Sequence, residues 1–297
     1  MTDVPVLDLG ARVDEARVLA AVEAAFVELH AGSARQPAQV LTELPGGGDV
    51  IAFQGVLSDP GVYAVKVSPY LPQPDGQAIV TAWTLLLSTT TGEPLGLVDA
   101  AELTAHRTAA TTALAVDRLA AEDARSLAVI GLGPIGRAHL RYARRMRPFD
   151  DVRVFARSAT APLPDSTLAA SAAEAAEGAD VVLLCTSAAE PVLDVRSLAA
   201  GTVVTSISTN APQAHEVEPA ALRELDVYCD LRAASLESAA DFRIAGLREQ
   251  DIRGDLPGLL SGDAPGPTGD RPIFFRSVGL GIEDAAVALA ALQEATR

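Results

Sequence analysis

The chain has 297 residues, 49% hydrophobic and 4% aromatic, with a formal net charge of −16. That length is enough for two ordinary cores and excludes a disulfide-stapled miniature, while the acidic balance excludes a phosphate backbone as a natural partner. The two cysteines and four histidines lack the spacing of a disulfide framework or a zinc site, so no metal is expected.

In chain order, the N-terminus MTDVPVLDLGARVDE has neither the basic nor the apolar stretch of a leader. No run approaches the ~18 apolar residues of a membrane span, so a cytoplasmic location with no membrane partner is expected. Residues 11–31 place Leu19, Val22, Phe26 and Leu29 on one helical face. Residues 49–55, 61–68 and 78–88 are rich in Val, Ile, Tyr and Trp and bounded by Pro and Gly, which predicts strands, and TTTGEP turns the chain into another at LGLVDA. A helix follows through AELTAHRTAATTALAVDRLAA. Strands predicted at 126–130, 152–156, 180–186, 202–208 and 227–231 then alternate with alanine-rich helical stretches, the pattern of a parallel sheet with helices on both faces. Residues 254–271, with five glycines and three prolines, predict an exposed loop; a strand or turn and a terminal helix close the chain. The expected architecture is α/β: an α+β substrate and dimerisation domain from residues 1–112 and 275–297, and a Rossmann dinucleotide-binding domain from 113–274.

The segment AVIGLGPIGRAHL carries glycines at 131, 133 and 136 between a predicted strand and a predicted helix. In that context Gly131 makes the tight turn, Gly133 admits a pyrophosphate, and Gly136 lets helix and strand pack closely, with Pro134 and Ile135 opening the helix whose free N–H groups face the phosphates. The second strand ends in VRVFARSAT, with no acid to bind a ribose 2′-hydroxyl. Arg157, Ser158 and Thr160 suit a 2′-phosphate instead, so NADP(H) is expected over NAD(H). Thr186, Ser187, Ser208 and Gly279 complete the expected cofactor set.

Two cations stand out for where they fall. Lys66 shares a strand face with Val62 and Ala64; it either reaches from a sheet edge to water or points into a cleft towards an anion, and the cleft is the expected reading. Arg107 lies on a helical stripe with Leu103, Ala110 and Leu114; a guanidinium there needs either an anionic ligand or an internal carboxylate.

LVDAAELTAHRTAATTALAVDRLA, AVIGLGPIGRAHL, STNAPQAHEVEPAAL and FFRSVGLGIEDAA together resemble the ornithine cyclodeaminase and mu-crystallin family. The resemblance covers most of the chain from about residue 60 onward. It implies a homodimer, an amino- or imino-acid substrate, and a substrate carboxylate held by Lys66 and Arg107. Two positions depart from the cyclodeaminase pattern. Gln39 takes the place of an arginine that would clamp the carboxylate, and Asn210 takes that of an aspartate after the fifth strand of the dinucleotide-binding domain. Asparagine does not titrate near neutral pH, so general acid or base work at that position is lost.

Hydride transfer to the C=N bond of an amino-acid-derived imine, cyclic or formed from a keto acid and an amine, is therefore expected over deamination. Lys66 would fix the carboxylate and hydrogen-bond or protonate the nitrogen, Arg107 and Gln39 would bind substrate, and Asn210 would orient it. The alternatives are a cyclodeaminase-type lyase using catalytic NAD, a non-catalytic NADPH-binding protein of the mu-crystallin type, and amino-acid dehydrogenation in the oxidative direction.

Overall fold

The computed structural model describes residues 6–7, 13–73, 75–76, 78–208 and 213–295. The chain divides into two compact units, residues 1–107 with 279–297, and residues 108–278. The sequence had placed these divisions at 112 and 275; the structure puts the first inside a helix and the second just after the last strand.

The first unit is built on an antiparallel sheet. Its strands are β1 (Val6–Leu7), β2 (Val40–Glu43), β3 (Asp49–Leu57), β4 (Val62–Pro72), β5 (Ala78–Val80), β6 (Trp83–Ser88) and β7 (Pro94–Asp99), in the order β1-β7-β6-β4-β3-β2, with β5 on β4. Among the described residues only β1 joins in parallel. The stretch 78–88 is two strands rather than one: β6 pairs with Val62–Val67 and β5 with Tyr70–Pro72. Pro69, between the two ladders, has no N–H to donate, and a proline in mid-strand breaks a ladder.

Helix α1 (Glu15–His30) starts at Asp14, whose carboxylate accepts from the Ala16 N–H, as a helix N-cap does. It buries Val18, Val22 and Phe26 and packs on the helix at residues 281–295, which itself lies on β3, β4 and β6. Strand alternation turns Val62, Ala64 and Lys66 to this covered face. The opposite face is apolar as well: cross-strand register aligns Val40, Ala52, Val67 and Trp83 in one row, and Val40, Val67 and Trp83 are exposed.

Helix α2 (Ala101–Leu119) carries the division between the units. The second unit is an eight-stranded sheet, parallel throughout: β8 (Ser126–Ile130), β9 (Asp151–Phe155), β10 (Thr167–Leu168), β11 (Val181–Leu184), β12 (Val203–Ser206), β13 (Asp226–Cys229), β14 (Gly254–Asp255) and β15 (Ile273–Arg276), in the order β10-β9-β8-β11-β12-β15-β13-β14. The order reverses between β8 and β11, and ligands of open α/β sheets bind at such a reversal, at the carboxyl ends of the strands. Its helices are α3 (Pro134–Met146), α4 (Ala172–Ala176), α5 (Arg232–Ser238), α6 (Ala240–Ala245) and α7 (Leu256–Ser261); the terminal helix α8 (Gly281–Ala295) returns to the first unit.

Helix α7 corrects the loop expected at 254–271. Asp255 caps it, Pro257 sits in its first turn and Gly262 ends it in the left-handed conformation. Asp, Pro and Gly at those places are start and stop signals for a helix, not breakers of one.

Candidate functional site

The second unit holds a cleft of about 870 Å³ lined by Gly131, Gly133, Pro134, Ile135, Arg157, Ser158, Thr186, Ser187 and neighbouring residues. It opens where β8, β9 and β11 end. Gly131 has a φ of 102° and Gly136 packs against it so closely that a Cβ on Gly136 would stand 1.9 Å from the Gly131 carbonyl oxygen. A side chain at either position collides with backbone. At Gly133 a Cβ would meet nothing within 4 Å, so the glycine leaves open space above the first turn of α3. A pyrophosphate fits that gap, next to N–H groups that have no partner within the helix. Thr160 is exposed two residues beyond Ser158.

The α3 helix that forms this rim is pinned from below. His139 is buried; its Nδ1 lies 2.8 Å from the Ile135 carbonyl and its Nε2 3.0 Å from the Thr112 hydroxyl. A carbonyl only accepts, so Nδ1 carries the proton and Nε2 accepts from threonine. Burial pulls the His139 pKa down to about 4, which keeps the ring neutral.

Two buried groups that the sequence did not single out shape the far side of the cleft. Glu216 is fully buried and accepts from the Thr186 N–H and hydroxyl, each at 2.7 Å, and from the Ser206 hydroxyl at 2.7 Å. Burial raises its pKa, opposed by those hydrogen bonds and by Arg276. It thereby ties the segment after β11 to the end of β12. Arg276 is buried on β15, pairs with Asp241 at 3.3 Å and donates to the Ser208 carbonyl at 3.1 Å. Ser208 is thus held by its backbone and is itself buried. Asn210, just beyond, lies outside the described residues.

The first unit contains the cations. Lys66 and Arg107 are 2% and 6% exposed, and the structure brings them to one carboxylate. Lys66 Nζ lies 2.9 Å and Arg107 Nε 3.3 Å from Asp284 Oδ1, while Arg107 Nη1 lies 3.1 Å from Glu283 Oε2. Internal carboxylates therefore meet both cations, and the four charges balance. Lys66 also sits 4.3 Å from the centroid of the Phe53 ring, a favourable cation–π arrangement. Its pKa is lowered to about 8, by burial first and Arg107 second, with Asp284 opposing.

Glycines make this cluster possible. A Cβ on Gly279 would stand 2.1 Å from Arg107 Nη1, so Gly279 makes room for the guanidinium within the first unit. Gly281 and Gly55 bring the start of α8 against β3 backbone to backbone, and the Ile282 N–H donates to Gln36 Oε1 at 3.1 Å. Gln36 thus reaches α8. Gln39 lies half-buried just before β2. The signal for Glu283 and Asp284 was two adjacent acids at the head of an otherwise apolar helix, in GLGIEDAAVALAAL.

Among the described residues, no group of three or more His, Cys, Asp or Glu side chains could hold a metal ion, and no helix is long and apolar enough to cross a membrane.

A family model described as the ornithine cyclodeaminase/mu-crystallin family matches residues 5–296. The chain is 50% identical to the NAD(P)H-dependent anabolic L-arginine dehydrogenase DauB of Pseudomonas aeruginosa, over 94% of this chain and 91% of that one. It is 30% identical to ornithine cyclodeaminase of Agrobacterium tumefaciens, over 76% and 67%. Among solved structures, the Delta(1)-pyrroline-2-carboxylate reductase of Thermococcus litoralis with NADH and L-proline superposes with a TM-score of 0.89, at 27% identity, over 99% and 98% of the two chains.

Proposed function

The chain belongs to the ornithine cyclodeaminase/mu-crystallin family, and from that premise we propose that it reduces the C=N bond of an amino-acid-derived imine with a nicotinamide dinucleotide, NADPH before NADH. The observation that carries this reading is the glycine-lined dinucleotide cleft of the second unit; the first unit, by itself, contributes a buried lysine and arginine suited to an α-carboxylate. The identity to an NAD(P)H-dependent dehydrogenase is much higher than to a cyclodeaminase, which favours net redox chemistry over ammonia release with ring closure. The same identity makes the acyclic imine of a basic amino acid, such as arginine, the first substrate to try, ahead of a cyclic ketimine.

In this reading the cleft of the second unit holds the dinucleotide, and the bound nicotinamide supplies the hydride. Lys66 and Arg107 hold the substrate carboxylate so that the imine carbon is fixed for attack. A protonated imine that accepts hydride becomes a neutral amine, so no titrating group is needed at Asn210. NADPH oxidation on mixing the protein with 2-ketoarginine and ammonia, and its absence with the keto acid alone, is the expected result. No oxidation with this pair or with pyrroline-2-carboxylate would overturn the reading.

Arg157 and Ser158 line the cleft immediately beyond β9, where no acid competes for the 2′ position. Arg157→Ala is expected to weaken NADPH binding by about 10- to 100-fold, the worth of a charge-assisted pair, and to leave NADH binding within about twofold. Fluorescence titration of both cofactors checks this, and equal wild-type affinities would remove the proposed preference.

We also propose a homodimer. A sheet with solvent on one face normally alternates apolar and polar residues, yet here the row Val40, Val67 and Trp83 faces outward. A second copy of this face is the expected cover. Light scattering is expected to give two chain masses and Trp83→Glu one; a monomeric wild type would refute it.

A further inference from the structure

The cation pair in the first unit is not a bare clamp. Lys66, Arg107, Glu283 and Asp284 form a buried cluster of two positive and two negative groups. A substrate offering only a carboxylate would bring one uncompensated negative charge into a low-dielectric interior, where such a charge is costly. A substrate with a carboxylate and a cationic nitrogen on the same α-carbon adds no net charge there.

One atom shows where that nitrogen is met. Asp284 is 5% exposed, and its Oδ1 takes both cations while its Oδ2 is buried with no hydrogen-bond partner. A carboxylate oxygen accepts only, and leaving one buried and unmet is costly. The hydroxyl of Thr84, directly across the ladder from Lys66, is likewise buried without a partner. Two unmet polar atoms, one on the carboxylate that meets the Lys66 ammonium and one on the residue paired with Lys66 in the ladder, are the mark of a place prepared for a further polar group.

We propose that Asp284 is a specificity-determining residue, whose free carboxylate oxygen accepts an N–H from the substrate's cationic nitrogen, so that the cluster selects zwitterionic imino and amino acids over the keto and hydroxy acids of the same skeleton. The selection rests on the reductase reading for its place in catalysis, but it concerns binding and is measured without turnover. It gives a physical reason for choosing C=N over C=O: an iminium donates to Asp284, whereas a ketone oxygen turned towards it meets only repulsion.

The test is calorimetry on the NADP-loaded protein with L-arginine and with its 2-hydroxy analogue. Wild type is expected to prefer the amino acid by about 100-fold, because the hydroxyl of the analogue can donate to Asp284 but brings no positive charge to offset its own carboxylate. Asp284→Asn, with NADPH affinity unchanged, is expected to bring the two within about threefold. If that variant does not fold, Asp284→Ser, which keeps Lys66 and removes the carboxylate, carries the comparison and is expected to show no preference. A preference that survives in whichever variant folds, or a wild type that binds the two alike or binds neither, overturns the proposal. Imine reduction without the preference would overturn it and leave the reductase reading standing; a preference lost on substitution, with no imine reduced, would support it and sink that reading.

Discussion

Lys66→Met is expected to lower kcat/KM for imine reduction by about 10³-fold, the range seen when one charged or hydrogen-bonding group is removed from a reacting centre, while NADPH affinity stays within about twofold. Cofactor binding is spared because Lys66 is not among the residues that line the dinucleotide cleft. Methionine keeps the length of the side chain and much of its contact with Phe53, but removes the charge that Asp284 and a substrate carboxylate both engage. Steady-state kinetics with a parallel fluorescence titration checks the split. Loss of both turnover and cofactor binding would make Lys66 a structural residue. The pH profile follows from the same group. With its pKa lowered to about 8, Lys66 is an ammonium below that value, so kcat/KM is expected to fall as pH rises through about 8. Stability runs the other way. Between about 8 and the ordinary 10.5 the unfolded chain holds the proton more tightly than the native one, so the unfolding free energy contributed by this group rises with pH across that window.

Gly281→Ala is expected to destabilise the first unit by about 3 kcal/mol or more, at or above the top of the usual range for overpacking a well-filled interior. The added Cβ would stand 2.1 Å from the Gln54 carbonyl oxygen and 2.2 Å from its carbon, and neither is the end of a flexible side chain. Either β3 or the head of α8 must move, and α8 carries Glu283 and Asp284 in its first turn. Urea unfolding with two probes measures the loss, and a variant as stable as wild type would show that the contact yields freely. Gly133→Ala is the contrasting case: a Cβ there meets no protein atom within 4 Å and φ is −66°, so stability is kept and only dinucleotide binding is expected to weaken.

Much of the second unit was legible because its signals are local. The G-x-G-x-x-G turn, the strand before it and the helix after it fall within one contiguous stretch, and the alternation of strands with helices implies a parallel sheet without knowledge of any contact. Lys66 and Arg107 were visible as charges on faces that period alone marks as buried. Their partners were not. Asp284 lies 218 residues beyond Lys66, and an acid at a helix start reads first as a favourable dipole partner. Glu216 was hidden in the same way: HEVEP looks like a polar turn, and only the fold puts its carboxylate between Thr186 and Ser206. The break at Pro69 and the helix at 256–261 were missed for a different reason, since proline and glycine were read as terminators where the first splits a ladder and the others begin and end a helix.

The return of α8 to the first unit has a bearing on biogenesis. At a ribosomal pace of ~5–20 residues per second, the 218 residues between Lys66 and Asp284 take on the order of ten to forty seconds to emerge. Throughout that interval the nascent sheet lacks the helix that covers it and the carboxylates that balance its lysine and arginine. A polypeptide released before the last strand has been followed by GLGIEDAA would keep the dinucleotide cleft and lose the charge-balanced cluster, which makes full-length translation the step that arms the enzyme.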